Sequence, residues 1–293
     1  MPELLPLADA PPALHGLLAD GAAFALLDDA HSDRSRLLHG WQEQIRCEHP
    51  DALDAWQDKV QAALAAGRHV LLLADYDWGL PLHGLPANGG SLRAEVFATS
   101  HTLSSAAVAD WLADTAVPAR CGLLAWQPGH DRARFEAAIA RIQAAITDGL
   151  TYQVNHTFAL QGRAHGEPAA LYRQLRQRQP PRFGALIHLP GQPWVLSLSP
   201  ELFVRVDDGV ATAEPMKGTV AAGTDPAAAA HWLRNDAKNR AENLMIVDLV
   251  RNDLSRVCVP GSVHVPKLFD VETYAPVHQL VSTVRGTLRD DVS

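Results

Sequence analysis

The sequence predicts an α+β fold with substantial antiparallel pairing. Three observations carry that prediction. Phe135, Ile139, Ile142 and Ile146 recur at spacings of 4, 3 and 4, one face of an amphipathic helix. Glu201 to Val206 and Val210 to Glu214 are strand-like runs joined by Asp207-Asp208-Gly209, a hairpin signal. Helices and neighbouring strands then alternate with short links, which suit antiparallel rather than parallel pairing. A length of 293 residues fits one large or two ordinary domains. The boundary is expected near residue 127, with 1–127 an N-terminal α+β region and 128–293 a second domain.

The first 125 or so residues are rich in Ala, Leu and Asp and poor in motifs. Val70 to Ala74 reads as a buried strand, followed by a turn at Asp75 to Gly79. Leu82 to Leu92, with Pro86 and three glycines, reads as a loop. Asp131 is the expected N-cap of the amphipathic helix and Gly149 its stop. Thr151 to Leu160 then alternates. Tyr152, Val154, Phe158 and Leu160 share one face with His156; Thr151, Gln153, Asn155 and Thr157 share the other. That polar, uncharged face either lines a site or meets water.

Ala169 to Gln177 is expected to be helical and to stop at Pro180-Pro181. Phe183 to Leu189, Trp194 to Leu198 and Glu201 to Val206 are expected strands, and Val210 to Glu214 the partner of the last. Asp225-Pro226 opens a helical stretch reaching about Asp253, with a break near Asn235-Asp236. Val263 to Val265 and Leu268 to Val271 are strand-like again.

Composition excludes several classes. An apolar fraction of 47% with 20% charged residues excludes wholesale disorder. A net charge of −8 argues against a nucleic-acid binder held by phosphate contacts, although a local basic site can still take a small anion. Cys47, Cys121 and Cys258 are too scattered for a disulfide framework or a zinc site. Met1 to Asp9 is acidic and lacks the basic start of a secretory signal, and no apolar run approaches the roughly 20 residues of a membrane helix. A soluble, cytoplasmic protein without membrane or nucleic-acid partners is expected.

The candidates for chemistry are few. Gly218 and Gly223 have P-loop spacing, but Thr224-Asp225 stands where Lys and Ser or Thr are needed. No dinucleotide fingerprint, His-Glu-x-x-His or Gly-x-Ser-x-Gly is present. Lysine is scarce: Lys59, Lys217, Lys238 and Lys267 stand beside 21 arginines. Lys217 follows a strand and precedes Gly218-Thr219. It is either an ordinary strand-end residue or a desolvated nucleophile, whose pKa would have to fall by roughly 3 units from about 10.4. A three-residue loop with Gly209 left-handed would pair Val206 with Val210 and Lys217 with Ser199. Glu201 would then lie one diagonal step from Lys217, an acid beside an amine. A two-residue loop would separate them. Glu242 borders an apolar face of Met245, Ile246 and Leu249; it either pairs with Lys238 or binds a metal. His278 is either a core residue or a catalyst.

Five blocks, in order, carry a resemblance. They are Thr151 to Asn155, Ser199-Pro200-Glu201-Leu202-Phe203, Pro215-Met216-Lys217-Gly218-Thr219, Asn239 to Asp253, and Val277 to Thr283. Together they are similar to the chorismate-utilising enzymes, specifically component I of aminodeoxychorismate synthase, over about Phe135 to Leu288. Asp75-Tyr76-Asp77-Trp78-Gly79 resembles a family motif in which Tyr-Asp recurs. Lys217 separates the sequence from anthranilate synthase component I, the related alternative, which has Ala there. Gln153 stands where isochorismate and salicylate synthases place a water-activating lysine, which implies ammonia as the incoming nucleophile.

The resemblance implies the chorismate-binding-enzyme fold, antiparallel sheets with helices outside, and 128–293 as the N-terminal part of its catalytic domain. It implies a transferase that aminates chorismate at C4 toward 4-aminobenzoate and folate. Lys217 would add to the ring and Glu201 would protonate the departing hydroxyl. Thr219, Gly218 and His278 would contact substrate, and Glu242 would ligate Mg2+. Ammonia would come from a glutamine amidotransferase partner. Asn239 stands where the family often has an acidic residue near the metal. The family module continues beyond Ser293 through further substrate and metal residues. The chain is therefore expected to be C-terminally truncated, and an incompetent fragment that only binds a partner is the competing expectation.

Overall fold

The computed structural model describes residues 16–17, 21–87, 89–114, 120–274 and 276–292. The acidic start Met1 to Asp9, and Ser293, lie outside the described residues. The chain divides into two units, one running to Thr115 and resuming at Tyr172, the other Ala116–Leu171.

The first unit holds two antiparallel sheets. One contains β1 (Phe24–Asp28), β2 (Ser35–Cys47), β3 (His69–Ala74), β4 (Leu92–Leu103), β7 (Phe183–His188) and β8 (Val195–Ser199). Their order is β3-β4-β2-β1-β7-β8. Central β1 has the burial its FALLD sequence calls for, and Phe24 meets Trp111 and Trp194 edge-on at 5.5 and 5.8 Å. Asp28, at the end of β1, is buried against charge: Arg176 Nε donates to it at 2.7 Å and the Tyr172 hydroxyl at 2.9 Å. Burial first, and then the Asp28 carboxylate, push the Tyr172 phenol far above its ordinary value. Those two residues lie on the helix Pro168–Arg178, which ends just before Pro180-Pro181 as expected.

β3 corrects the expectation of a buried strand. It is an edge strand whose one buried residue is Leu71. The turn after it is a 3-10 helix, Tyr76–His83, and its leading Asp75 accepts from the Ser91 amide at 2.9 Å. That backbone hydrogen bond, ahead of the nearby arginines, holds the Asp75 carboxyl below its ordinary range.

The second sheet contains β9 (Leu202–Asp207), β10 (Val210–Glu214), β11 (Met216–Ala221), β12 (His264–Tyr274) and β13 (Val277–Thr287). β10 and β11 run end to end along one side of β13, with Pro215 between them, and β12 lies along the other side. The two strand-like runs expected at 263–271 are therefore one strand with irregular register; within it Phe269 has φ 61°.

The β9–β10 hairpin overturns the expected three-residue loop. Val210 faces Asp207, and both loop residues are left-handed, with φ 49° at Asp208 and 73° at Gly209. Asp-Gly tolerates that geometry, and the resulting two-residue turn matches strand twist. Beyond that hairpin Lys217 faces Leu280 of β13, while Ser199 faces Phe183 in the other sheet. The proposed Lys217–Ser199 pairing does not form.

Two helices cover the second sheet. The helix Pro226–Asn235 is capped by Asp225, which accepts from the Ala228 amide at 3.0 Å. Asp236 ends it and caps the next helix, Ala237–Ser255, by accepting from the Asn239 amide at 2.9 Å. The expected break near Asn235-Asp236 is thus a cap. The long helix buries Asn243, Val247 and Leu254 rather than Met245, Ile246 and Leu249; Leu249 is 55% exposed. Val247 and Leu254 pack with Ala211, Ala213 and Val284 of the sheet.

In the second unit, the helix Arg132–Thr147 has the expected Asp131 cap, accepting from the Arg134 amide at 2.7 Å, and Gly149 is left-handed at φ 72°. The strand expected at 151–160 is displaced. Pairing begins at Leu160, where β6 (Leu160–His165) joins β5 (Gly122–Pro128). Residues 151–159 have no strand assignment. Alternation alone makes no strand, because a ladder needs a neighbour. Among the described residues no helix is long and apolar enough to cross a membrane.

Candidate active site

The site grows from one irregularity in β11. Pro215 has no amide hydrogen, so it cannot donate to the β13 ladder. Its carbonyl still accepts, from the Ser282 amide at 3.1 Å. Two residues on, the register slips between Lys217 and Thr219. Gly218 at the slip has φ 81°, and a Cβ there would lie 2.9 Å from Asn239 Oδ1 and 3.0 Å from its Cβ. Left-handed backbone and a helix pressed against it both call for glycine.

The slip sorts the side chains. Lys217 faces Leu280 and Val220 faces His278, so both lie on the helix-covered side with Ser282. Thr219 faces Gln279, which turns it to the opposite side, where it is exposed. Lys217 is half-buried, and among the described residues its amine has no hydrogen-bond or ion-pair partner. Lys238 and Lys267, by contrast, reach Glu242 at 3.7 Å and Asp270 at 4.0 Å.

His278 is 3% exposed. Its Nδ1 meets the Thr273 hydroxyl at 3.0 Å, while its buried Nε2 has no partner. A buried ring nitrogen left open is costly unless something polar completes it. Three residues of β13 thus carry the polar features of this face: His278, Ser282 and, through its carbonyl, Leu280.

Glu201 is exposed and lies outside the ladder, on the link between β8 and β9. It is not the diagonal neighbour of Lys217. The adjoining Pro200 carbonyl lies 3.5 Å from the Tyr274 hydroxyl, which brings this link to the end of β12 beside Thr273 and His278. Tyr274 also donates to Glu272 at 2.5 Å, and Arg182 reaches Glu214 at 2.9 Å and Glu272 at 3.1 Å. Burial first, then the Glu272 hydrogen bond, raises the Tyr274 phenol to about 12. This cluster gave no sequence signal, because its members come from four separate segments.

Glu242 lies on the helix Ala237–Ser255 and is paired with Lys238 across one turn. Among the described residues no group of three or more His, Cys, Asp or Glu side chains forms a metal cluster. The nearby donor set is one carboxylate, Glu242, with the Asn239 carboxamide three residues earlier on the same face. That set fits magnesium as a minority share of its shell, with substrate oxygens and water completing it. Sequence reasoning missed Asn243, which is fully buried. Its signal was a lone carboxamide heading the apolar run Leu244-Met245-Ile246.

The family model described as chorismate binding enzyme matches residues 42–293. The chain belongs to this family. Among curated relatives, an aminodeoxychorismate synthase from Streptomyces pristinaespiralis is 50% identical over 168 residues, 56% of this chain and 23% of that protein. Aminodeoxychorismate synthase component 1 from Klebsiella aerogenes is 40% identical over 219 residues, 73% of this chain and 47% of that protein. Among solved structures, anthranilate synthase component I from Streptococcus pneumoniae TIGR4 superposes with a TM-score of 0.63 at 24% identity, covering 78% of this chain and 59% of that one. That likeness establishes the fold. The chain spans less than half the length of these curated relatives.

Proposed function

We propose that the chain carries the amine-forming chemistry of an aminodeoxychorismate synthase component I, converting chorismate to 4-amino-4-deoxychorismate toward 4-aminobenzoate and folate. The observation that carries this reading is the unpartnered, half-buried amine of Lys217 on the same sheet face as the open Nε2 of His278.

In this reading the Lys217 amine bonds to the chorismate ring as the C4 carbon–oxygen bond breaks. Glu201 supplies the proton with which the hydroxyl leaves as water. Ammonia then adds at C4, and the ring–lysine bond breaks to return the amine. His278 Nε2 and the Gly218 backbone orient the substrate, while the Thr219 side chain, on the opposite side of the sheet, drops out of the contact set that the resemblance implied. Magnesium, held in part by Glu242, would offset the charge of the substrate carboxylates. Ammonia comes from a glutamine amidotransferase partner, in keeping with the component 1 names of relatives. The setting is the cytoplasm, where the free thiols of Cys47, Cys121 and Cys258 persist.

The covalent step is tested by withholding ammonia. Intact-protein mass spectrometry after incubation with chorismate and magnesium should reveal an adduct of chorismate less one water, mapped to Lys217 and absent from Lys217→Ala. An adduct that persists in Lys217→Ala would remove the lysine from this role.

A second reading is a chain that binds a partner polypeptide without turnover. It is favoured by the apolar surface of the second unit, where Leu150 is 80% and Tyr152 76% exposed.

A further inference from the structure

Asn243 makes more polar contacts than any neighbour on its helix: two go to β13 and one to Pro215, between β10 and β11. Its Nδ2 donates to the Leu280 carbonyl at 3.1 Å and to the Pro215 carbonyl at 3.4 Å. Its Oδ1 accepts from the Ser282 hydroxyl at 2.6 Å. That hydroxyl oxygen in turn accepts from the Phe269 amide at 3.1 Å, at the left-handed residue of β12. One carboxamide therefore ties the helix Ala237–Ser255 to β13 and to the β10–β11 junction directly, and to β12 through Ser282.

The two carbonyls it holds bracket the reacting lysine. Leu280 is the residue opposite Lys217, and Pro215 lies two positions before it. The ladder is irregular here, because Pro215 donates nothing and the register slips at Gly218. Nothing else among the described side chains bonds to both carbonyls. The same contacts fix the rotation of the helix, and hence the direction of Glu242, the preceding residue.

We propose that Asn243 is the positioning residue for Lys217. It acts through the backbone of Pro215 and Leu280, and it sets where the amine emerges beside His278. The proposal rests on Lys217 being the reacting amine, and it makes a claim that a merely stabilising hydrogen bond would not.

The test uses the full chain labelled with 13C at the lysine ε-carbon. Four lysines give a sparse spectrum in which Lys217 is assigned by Lys217→Ala. In Asn243→Ala the Lys217 resonance should shift or split, while those of Lys59, Lys238 and Lys267 stay in place. If the native chain turns over, Asn243→Ala should lower kcat by about 10- to 100-fold, as for a small misplacement of a reacting group. KM should stay within about twofold, the mark of an interaction felt at the transition state. Should Asn243→Ala fail to fold, Ser282→Ala removes one arm of the clamp and is expected to move the same resonance by less. An unmoved Lys217 resonance in a folded variant would overturn the proposal. An inactive native chain with a shifted resonance would count against the proposed reaction, and leave the positioning role supported.

Discussion

Gly218 is the residue on which backbone geometry and chemistry converge. Its φ of 81° costs an L-residue about 1–2 kcal/mol, before the contact with Asn239 is counted. Gly218→Ala should therefore lower unfolding stability by at least about that much in urea titrations. It should also push the helix start away from Lys217. The candidate residues at this scale were legible, and their roles were left open. A scarce lysine beside Gly-Thr and a histidine in an apolar strand announce themselves by residue type. Their geometry was not legible. Lys217 was expected opposite Ser199 and stands opposite Leu280, because β11 pairs with β13 and β8 with β7, partners that a hairpin count does not reveal. Asn243, a carboxamide heading an apolar run, was passed over for another reason. Its partners are backbone carbonyls 28 and 37 residues away, which no local pattern encodes.

At the scale of elements, the helices were read best. Asp131, Asp225 and Asp236 all serve as caps, since a carboxylate before a helix satisfies free amides wherever it occurs. Strands depend on neighbours, and there the reading slipped: β3 is an edge, and 151–159 has no strand assignment. Two element-level predictions follow from the first sheet. β1 is joined to the helix Pro168–Arg178 through the buried Asp28–Arg176 pair at 2.7 Å. Asp28→Ala strands a buried guanidinium and should cost about 3–5 kcal/mol by chemical denaturation. Within the β2–β4 pair, His39 and His101 stack with Nε2 atoms 3.0 Å apart. Burial first, and then the charge of His101, lowers the His39 pKa. The unfolded chain then binds more protons near its histidine pKa, so stability rises with pH there. It should be lost as pH falls below about 6.5, until the lower folded value is passed. His39→Gln should flatten that acid-side loss, measured as urea midpoints at pH 7.5 and 5.5.

For the whole molecule, membership of the chorismate binding enzyme family rests on a match spanning residues 42–293. The α+β expectation with antiparallel sheets agrees with the topology. The N-terminal part of the fold was least legible. Its strand β2 carries left-handed Gly40 and a register slip between Trp41 and Glu43, which break the alternation a reader looks for. The unit Ala116–Leu171 exposes Leu124, Trp126, Leu150, Tyr152 and Leu160, an apolar surface that suits association with another polypeptide. The central claim is amination of chorismate through Lys217. Its most direct test is product analysis by mass spectrometry after the purified chain is incubated with chorismate, magnesium and 15N-ammonium. The account predicts 15N-labelled 4-amino-4-deoxychorismate from the native chain and none from Lys217→Ala. A folded native chain that leaves chorismate unchanged, or equal product from both chains, would contradict it.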